Sequence, residues 1–318
     1  MHLQDRSSGR RVQFGRGELW ALGAALSYAL TNVFTGVAVR GHDLNYMLGV
    51  SLRATPVFLF ALVMGLGARR RRPDTVSPLS DWRLLAPLVG YGVLTFVVAN
   101  PLLFAALQEG GIMVTSPVSG TQVLWGALLA ALLLHEPLNR KMVAGMVISI
   151  TGLLVLTLGR SGDATLSPSW WLAVPYATGT AFCWALSGVL VTYAMRRGVD
   201  RFQSLAIATL TGIVLNNAYL FAADNIGLYV TTSRQLLLNV LIAGLFNTVA
   251  LVSITSALSL TSVASATTLN SLQVGLAPLI AWVFVGERMT SSMGLGILLI
   301  MGGVIVVQRA RETKNNEQ

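Results

Sequence analysis

Apolar runs of about 20 residues, parted by short polar or glycine- and proline-bearing connections, follow one another along the whole chain. Ten of them can be marked, at about 18–39, 46–68, 84–107, 112–134, 140–159, 169–195, 202–222, 235–259, 263–285 and 290–308. A helix needs about 20 apolar residues to cross the ~30 Å hydrocarbon layer of a bilayer. Inside lipid every backbone N–H and C=O must be satisfied within the segment, so each run is expected to be a helix. The pattern predicts an all-α integral membrane protein with ten transmembrane helices.

Composition sharpens that expectation. Of 318 residues, 54% are apolar and only 11% are charged, and the mean hydropathy is +0.67. A soluble domain carries about 25% charged residues, so a soluble enzyme is excluded. The single cysteine, Cys183, lies inside an apolar run and excludes a disulfide-stapled secreted domain. The net charge of +9 does not indicate nucleic-acid binding, because the basic residues sit in the short connections. With a cytoplasmic N-terminus and ten spans, 17 of the 22 Lys and Arg fall on the inside. Only Arg40, Arg160, Arg234 and Arg288 fall outside, and Arg53 alone lies within a span. Such a bias is the positive-inside pattern, and a missing helix would scramble it. The first 16 residues are polar and arginine-bearing, which reads as a cytoplasmic segment rather than a cleaved signal.

The two halves of the chain resemble each other. Ala29-Leu30 matches Ala185-Leu186 at an offset of 156, which also sets Tyr28 against Trp184. Further on, at an offset of 151, Gln122-Val123 matches Gln273-Val274, Glu136 matches Glu287, Gly145 matches Gly296 and Gly152 matches Gly303. Five helices per half is an odd number, so the second copy enters the membrane from the other side. Inverted repeats of this kind let the halves exchange conformations, which is how secondary transporters alternate access. The expected organisation is a basic cytoplasmic segment 1–16, a first repeat 17–160, a second repeat 161–309 and a cytoplasmic tail 310–318.

The stretch SPVSGTQVLWGALLAALLLHEPLNRKMVAGMVISITGLLVL and its second copy TTLNSLQVGLAPLIAWVFVGERMTSSMGLGILLIMGGVIVV resemble the EamA module of the drug/metabolite transporter superfamily. Both show a helix ending near a Gly-Glu or its like, a short turn, and a last helix with glycines seven apart. The first copy departs in having His135 before Glu136 and Trp125-Gly126 where the second nears Pro278. The resemblance implies a central cavity and movement of small metabolites, often export of amino acids or related compounds, across a bacterial inner membrane.

Polar and aromatic residues inside spans are the candidates for that cavity, since each costs free energy to keep there. Arg53 reads either as a clamp for a carboxylate or phosphate, or as a side chain that snorkels outward or pairs with Glu109. Gln122, Gln273 and Asn270, and more weakly Asn32 and Asn247, place amides for solute binding or interhelical bonding. Tyr28, Tyr91, Trp125 and Trp184 are candidates to wall the cavity. Pro56, Pro101, Pro175 and Pro278 interrupt spans and read as bends for gating, with Asn100 expected to answer the backbone bond missing at Pro101. The glycine-bearing last helix of each half reads as scaffold or as a dimer contact. Glu136 and Glu287 read as caps for the helix that follows each.

Alternatives within the same pattern are a lipid or amphiphile translocase and an intramembrane enzyme. The latter lacks a visible constellation, since His135-Glu136 is followed by Pro-Leu-Asn rather than by the second histidine of an HExxH site. No cofactor or metal is expected. Partners are the bilayer and a small solute, which carries a carboxylate if Arg53 binds it and is a quaternary amine or neutral drug if the aromatics act without Arg53, with the chain a monomer or homodimer. No acidic residue lies near a span centre, so passive facilitation or exchange stands beside proton coupling.

Overall fold

The computed structural model describes residues 15–40, 44–71, 76–133, 139–160, 168–261 and 263–315. Among them the chain is helical throughout, with no strand. The α-helices are α1 (Arg16–Val39), α2 (Tyr46–Arg71), α3 (Trp82–Gly92), α4 (Asn100–Gly120), α5 (Gln122–Leu133), α6 (Arg140–Arg160), α7 (Ala173–Arg196), α8 (Arg201–Ala222), the single turn α9 (Leu228–Thr231), α10 (Arg234–Leu260), α11 (Val263–Asn270), α12 (Gln273–Ile280) and α13 (Ser291–Asn315). Several begin where a short polar side chain meets the unpaired N–H groups of the first turn. Asn45 accepts from Met47 N at 3.0 Å, Asp81 from Arg83 N at 2.9 Å, Asn139 from Lys141 N at 3.2 Å and Asp200 from Phe202 N at 2.8 Å.

Nine stretches among the described residues are long and apolar enough to cross a membrane. One of them, Trp82–Leu129, is 48 residues long. A straight helix of that length would extend about 72 Å, more than twice the hydrocarbon layer. It is not straight: inside α4, Gly111 has φ 69° and ψ −175°, a backbone that L-residues rarely adopt and glycine takes at no steric cost. Two helical runs therefore meet at a kink at Gly111, inside the interval 107–112 where a connection is expected.

Helix pairs organise the bundle: α1 packs on α10, α4 on α7, α2 on α8 and α6 on α13. The last pair meets through glycines. A Cβ on Gly303 would lie 2.5 Å from the Gly145 carbonyl oxygen, and one on Gly152 would lie 2.8 Å from that of Gly296. These small residues therefore join the two halves within one chain, which answers the choice between scaffold and dimer contact for this stripe. Apolar side chains cover the outside of the bundle, among them Leu154, Leu158, Leu298 and Phe284, the last 80% exposed. An aqueous surface would not carry so much.

The prolines occupy different roles in detail. Pro175 is the third residue of α7, which follows directly on the 3-10 turn Trp170–Leu172, so it lies in the opening turns of its span and not at the middle. Pro101 follows a π-helical segment, Val93–Ala99. The carbonyl of Phe96 takes a 3.2 Å bond from Asn216 Nδ2 in α8, so a distant asparagine, and not Asn100, answers that backbone group. Pro56 lies inside α2 against α10, its Cγ 3.1 Å from where a Cβ on Gly244 would stand. Pro278 is buried in α12, just ahead of a second π-helical segment, Ala281–Val285.

Candidate functional site

Two of the predicted spans tighten in the middle, where i→i−3 backbone bonds such as Thr121 N to the Val118 carbonyl at 3.0 Å and Leu272 N to that of Leu269 at 3.2 Å interrupt the α-helix. α4 ends at Gly120 and α5 begins at Gln122; α11 ends at Asn270 and α12 begins at Gln273. At an offset of 151 these are the same place in the two halves. Hydroxyls hold these turns: Thr121 Oγ1 donates to the Val118 carbonyl at 2.6 Å, and Ser271 Oγ to that of Thr268 at 2.7 Å. Broken helices at membrane depth are tolerated where they are buried in protein or line a cavity.

A cavity of about 350 Å³ lies at these breaks, near the lower end for small-molecule sites. Tyr28 and Asn32 from α1, Arg53 from α2, Tyr91 from α3, Gln122 from α5, Trp184 from α7, Asn247 from α10, Asn270 from α11 and Gln273 from α12 all line it. The candidates from eight helices are thereby brought to one volume. Trp125 is not among the lining residues; α5 packs against α7, and the Trp125 ring meets Phe182 edge-on at 5.4 Å. None of the four prolines lines the cavity either.

Arg53 is 5% exposed, so it does not snorkel to the interface. Its Nη1 donates to Thr35 Oγ1 at 3.4 Å, and its guanidinium lies over the Phe104 ring, 5.1 Å from the centroid. Glu109 takes a hydrogen bond from Ser169 instead. Among the described residues Arg53 is the one formal charge on the cavity wall, and no carboxylate faces it there. Around it stand amides, hydroxyls and aromatic rings. Two buried polar atoms of lining residues, Ser116 Oγ and Asn270 Oδ1, have no hydrogen-bond partner among the described residues.

Sequence reasoning passed over Ser116 and Ser119, which line the cavity, and Phe104, whose ring lies under the Arg53 guanidinium, and it assigned Asn100 a backbone role although it lines the cavity. The repeat held a usable signal for Ser119, which stands opposite Asn270 at the same offset of 151. Nothing local marks Phe104. His135 and Glu136 lie outside the described residues.

Apolar helices, a lipid-type exterior and a polar cavity at paired helix breaks define a multi-pass membrane protein that handles a small solute. The EamA-like transporter family matches the chain twice, over residues 15–158 and 171–309. The chain belongs to this family of membrane transporters. A search of curated proteins finds no match. A solved protein crystal structure is similar in fold, with a TM-score of 0.63 and 19% identity over 94% of this chain and 98% of its own.

Proposed function

We propose that this transporter moves a small organic metabolite bearing a carboxylate or comparable anionic group, such as an amino acid or a related compound. It does so by alternating access across a bacterial inner membrane, as an exporter or exchanger. The observation that carries the reading is Arg53, a buried guanidinium without a facing carboxylate on the wall of a polar cavity. A planar fork of donors suits a carboxylate. The amides and Ser116 suit the solute's neutral polar groups, and Tyr28, Tyr91 and Trp184 its apolar part.

Ten crossings in two inverted five-helix repeats, with both termini cytoplasmic, complete the proposal. The reversal at Gly111 supports dividing the 48-residue stretch into two crossings. Packing supports the inversion: α1 on α10 and α4 on α7 exchange when each half is replaced by the other. So do Gly17 against Thr261 and Gly110 against Ala173.

Ligand-induced thermal stabilisation in detergent tests the site. Amino acids, sugar phosphates, quaternary amines and nucleosides are compared on the parent and on Arg53→Ala. A ligand that prefers the folded state raises the melting temperature by mass action, equivalent to about 2.7 kcal/mol at a hundred times its Kd. Carboxylate- or phosphate-bearing compounds are expected to stabilise the parent and not a folded Arg53→Ala. Equal responses, or responses to cations alone, would refute the clamp.

A further inference from the structure

We infer that Glu287 is the latch of a gate at the membrane face where α1 ends, and that its carboxylate charge keeps that face closed. This rests on the alternating-access reading above and names a residue that governs it. Glu287 was read as a cap for the helix that follows it. The structure sends it elsewhere. Its side chain is 1% exposed, and its oxygens accept from the backbone of a segment 175 residues away in sequence: Ile112 N to Oε1 at 3.0 Å and Met113 N to Oε2 at 2.9 Å. These are the first N–H groups after the reversal at Gly111, the positive end of a new helical run. Arg40, at the end of α1, adds an ion pair to Oε1 at 2.9 Å.

One carboxylate therefore ties together three parts of the bundle: the end of α1, the second part of α4, and the segment that follows the π-helical end of the α11–α12 span. Gly111 leaves the room, since a Cβ there would stand 2.7 Å from Glu287 Oε1. Beneath the latch the same face is packed shut. A Cβ on Gly36 of α1 would lie 2.6 Å from Ile112, and one on Gly49 of α2 would lie 2.5 Å from Phe104, the ring under Arg53. Tyr46 OH donates to Gln108 Oε1 at 2.6 Å across the same seam.

The opposite face differs. By the repeat, α1 against α4 corresponds to α7 against α11, and α2 against α4 corresponds to α8 against α10. Both pairs pack at the Arg40 face, and neither counterpart packs comparably among the described residues. The cavity wall also extends that way, to Val191, Leu205 and Leu251. An inverted repeat makes two such conformers close in energy, so a few charge-assisted bonds at one seam suffice to bias the equilibrium. Glu287 with Arg40 supplies them.

The test reads sidedness, which a merely structural role would not reverse. In the full-length chain with Cys183→Ser, a single reporter Ser116→Cys is placed on the cavity wall. A membrane-impermeant maleimide is then applied from either side, using membrane vesicles of both orientations. The parent is expected to label from the face where α1 begins and slowly from the Arg40 face. Glu287→Gln should raise labelling from the Arg40 face about tenfold, the shift expected when bonds to an ionised group become neutral. Arg40→Gln should give a smaller rise and Glu287→Asp a partial return to the parent. Arg40 is 42% exposed, so its variant carries the test if Glu287→Gln fails to fold. Unchanged labelling from the Arg40 face in both Gln variants would overturn the latch while leaving alternating access standing. A parent that labels equally from both faces would overturn the latch and the closed face together.

Discussion

Arg53 is a buried charge on the wall of the cavity. A guanidinium at the middle of a helix costs about 2.5–3.5 kcal/mol on insertion scales, and here Thr35 and the face of Phe104 offset only part of it. On the proposed reading, an anionic solute would remove the remaining penalty as it binds, and the charge would then act as a selector rather than as a structural element. Asn270 is the complementary case. Its Oδ1 is unpartnered among the described residues, so Asn270→Ala should leave the melting temperature almost unchanged. The same variant should weaken solute binding about three- to tenfold, the worth of one hydrogen bond, as read by titration of the ligand found in the stabilisation panel. Both residues stood out in the sequence because polar groups in apolar runs are costly. Trp125 stood out equally and was misplaced, because which way a ring points depends on the helix packed beside it, here α7 with Phe182.

Elements differ in what they tolerate. The pair α6 and α13 contributes no residue to the cavity wall and meets across glycines, which makes it a separable support. Adding a methyl group at Gly303 would bring a Cβ 2.2 Å from Ser149 Oγ and 2.5 Å from the Gly145 carbonyl. Overpacking of that kind costs about 1–3 kcal/mol, so Gly303→Ala should lower the melting temperature in detergent. It should leave the ligand-induced shift of the folded fraction as large as in the parent. The broken elements carry the opposite burden. Where α4 gives way to α5 and α11 to α12, the chain gives up helical bonds and recovers some through Thr121 and Ser271. The sequence does mark these points, since 115–122 and 267–273 are the most polar stretches within their apolar runs.

For the whole molecule, the proposed ten crossings fix which loops share a face. A cysteine at Asn225, between α8 and α9, should label only from outside intact cells in the Cys183→Ser background. One at Ser77, before α3, should label only after the membrane is opened. Labelling of both from one side would break the proposed topology. At this scale the bundle also has a polarity that no helix has by itself: one face is tied by Glu287, Arg40 and the N–H groups after Gly111, while the repeat-related helices at the other pack less closely among the described residues.

The apolar runs, the siting of the arginines, the repeat and many of the polar residues that line the cavity were legible along the chain, while Ser116, Ser119 and Asn100 were not. Each follows from a local energy, the cost of placing a given side chain or an unpaired backbone group in lipid, and local costs need only composition and spacing. Tertiary structure alone decided that the kink would fall at Gly111, that Asn216 would answer the Phe96 carbonyl, and that Glu287 would cap a helix run 175 residues away rather than its neighbour. It also brought Arg40 and Glu287 to one seam, 2.9 Å apart. Contacts at such separations are set by how whole helices pack, and partners that lie so far apart in sequence leave no pattern of neighbouring residues to announce them.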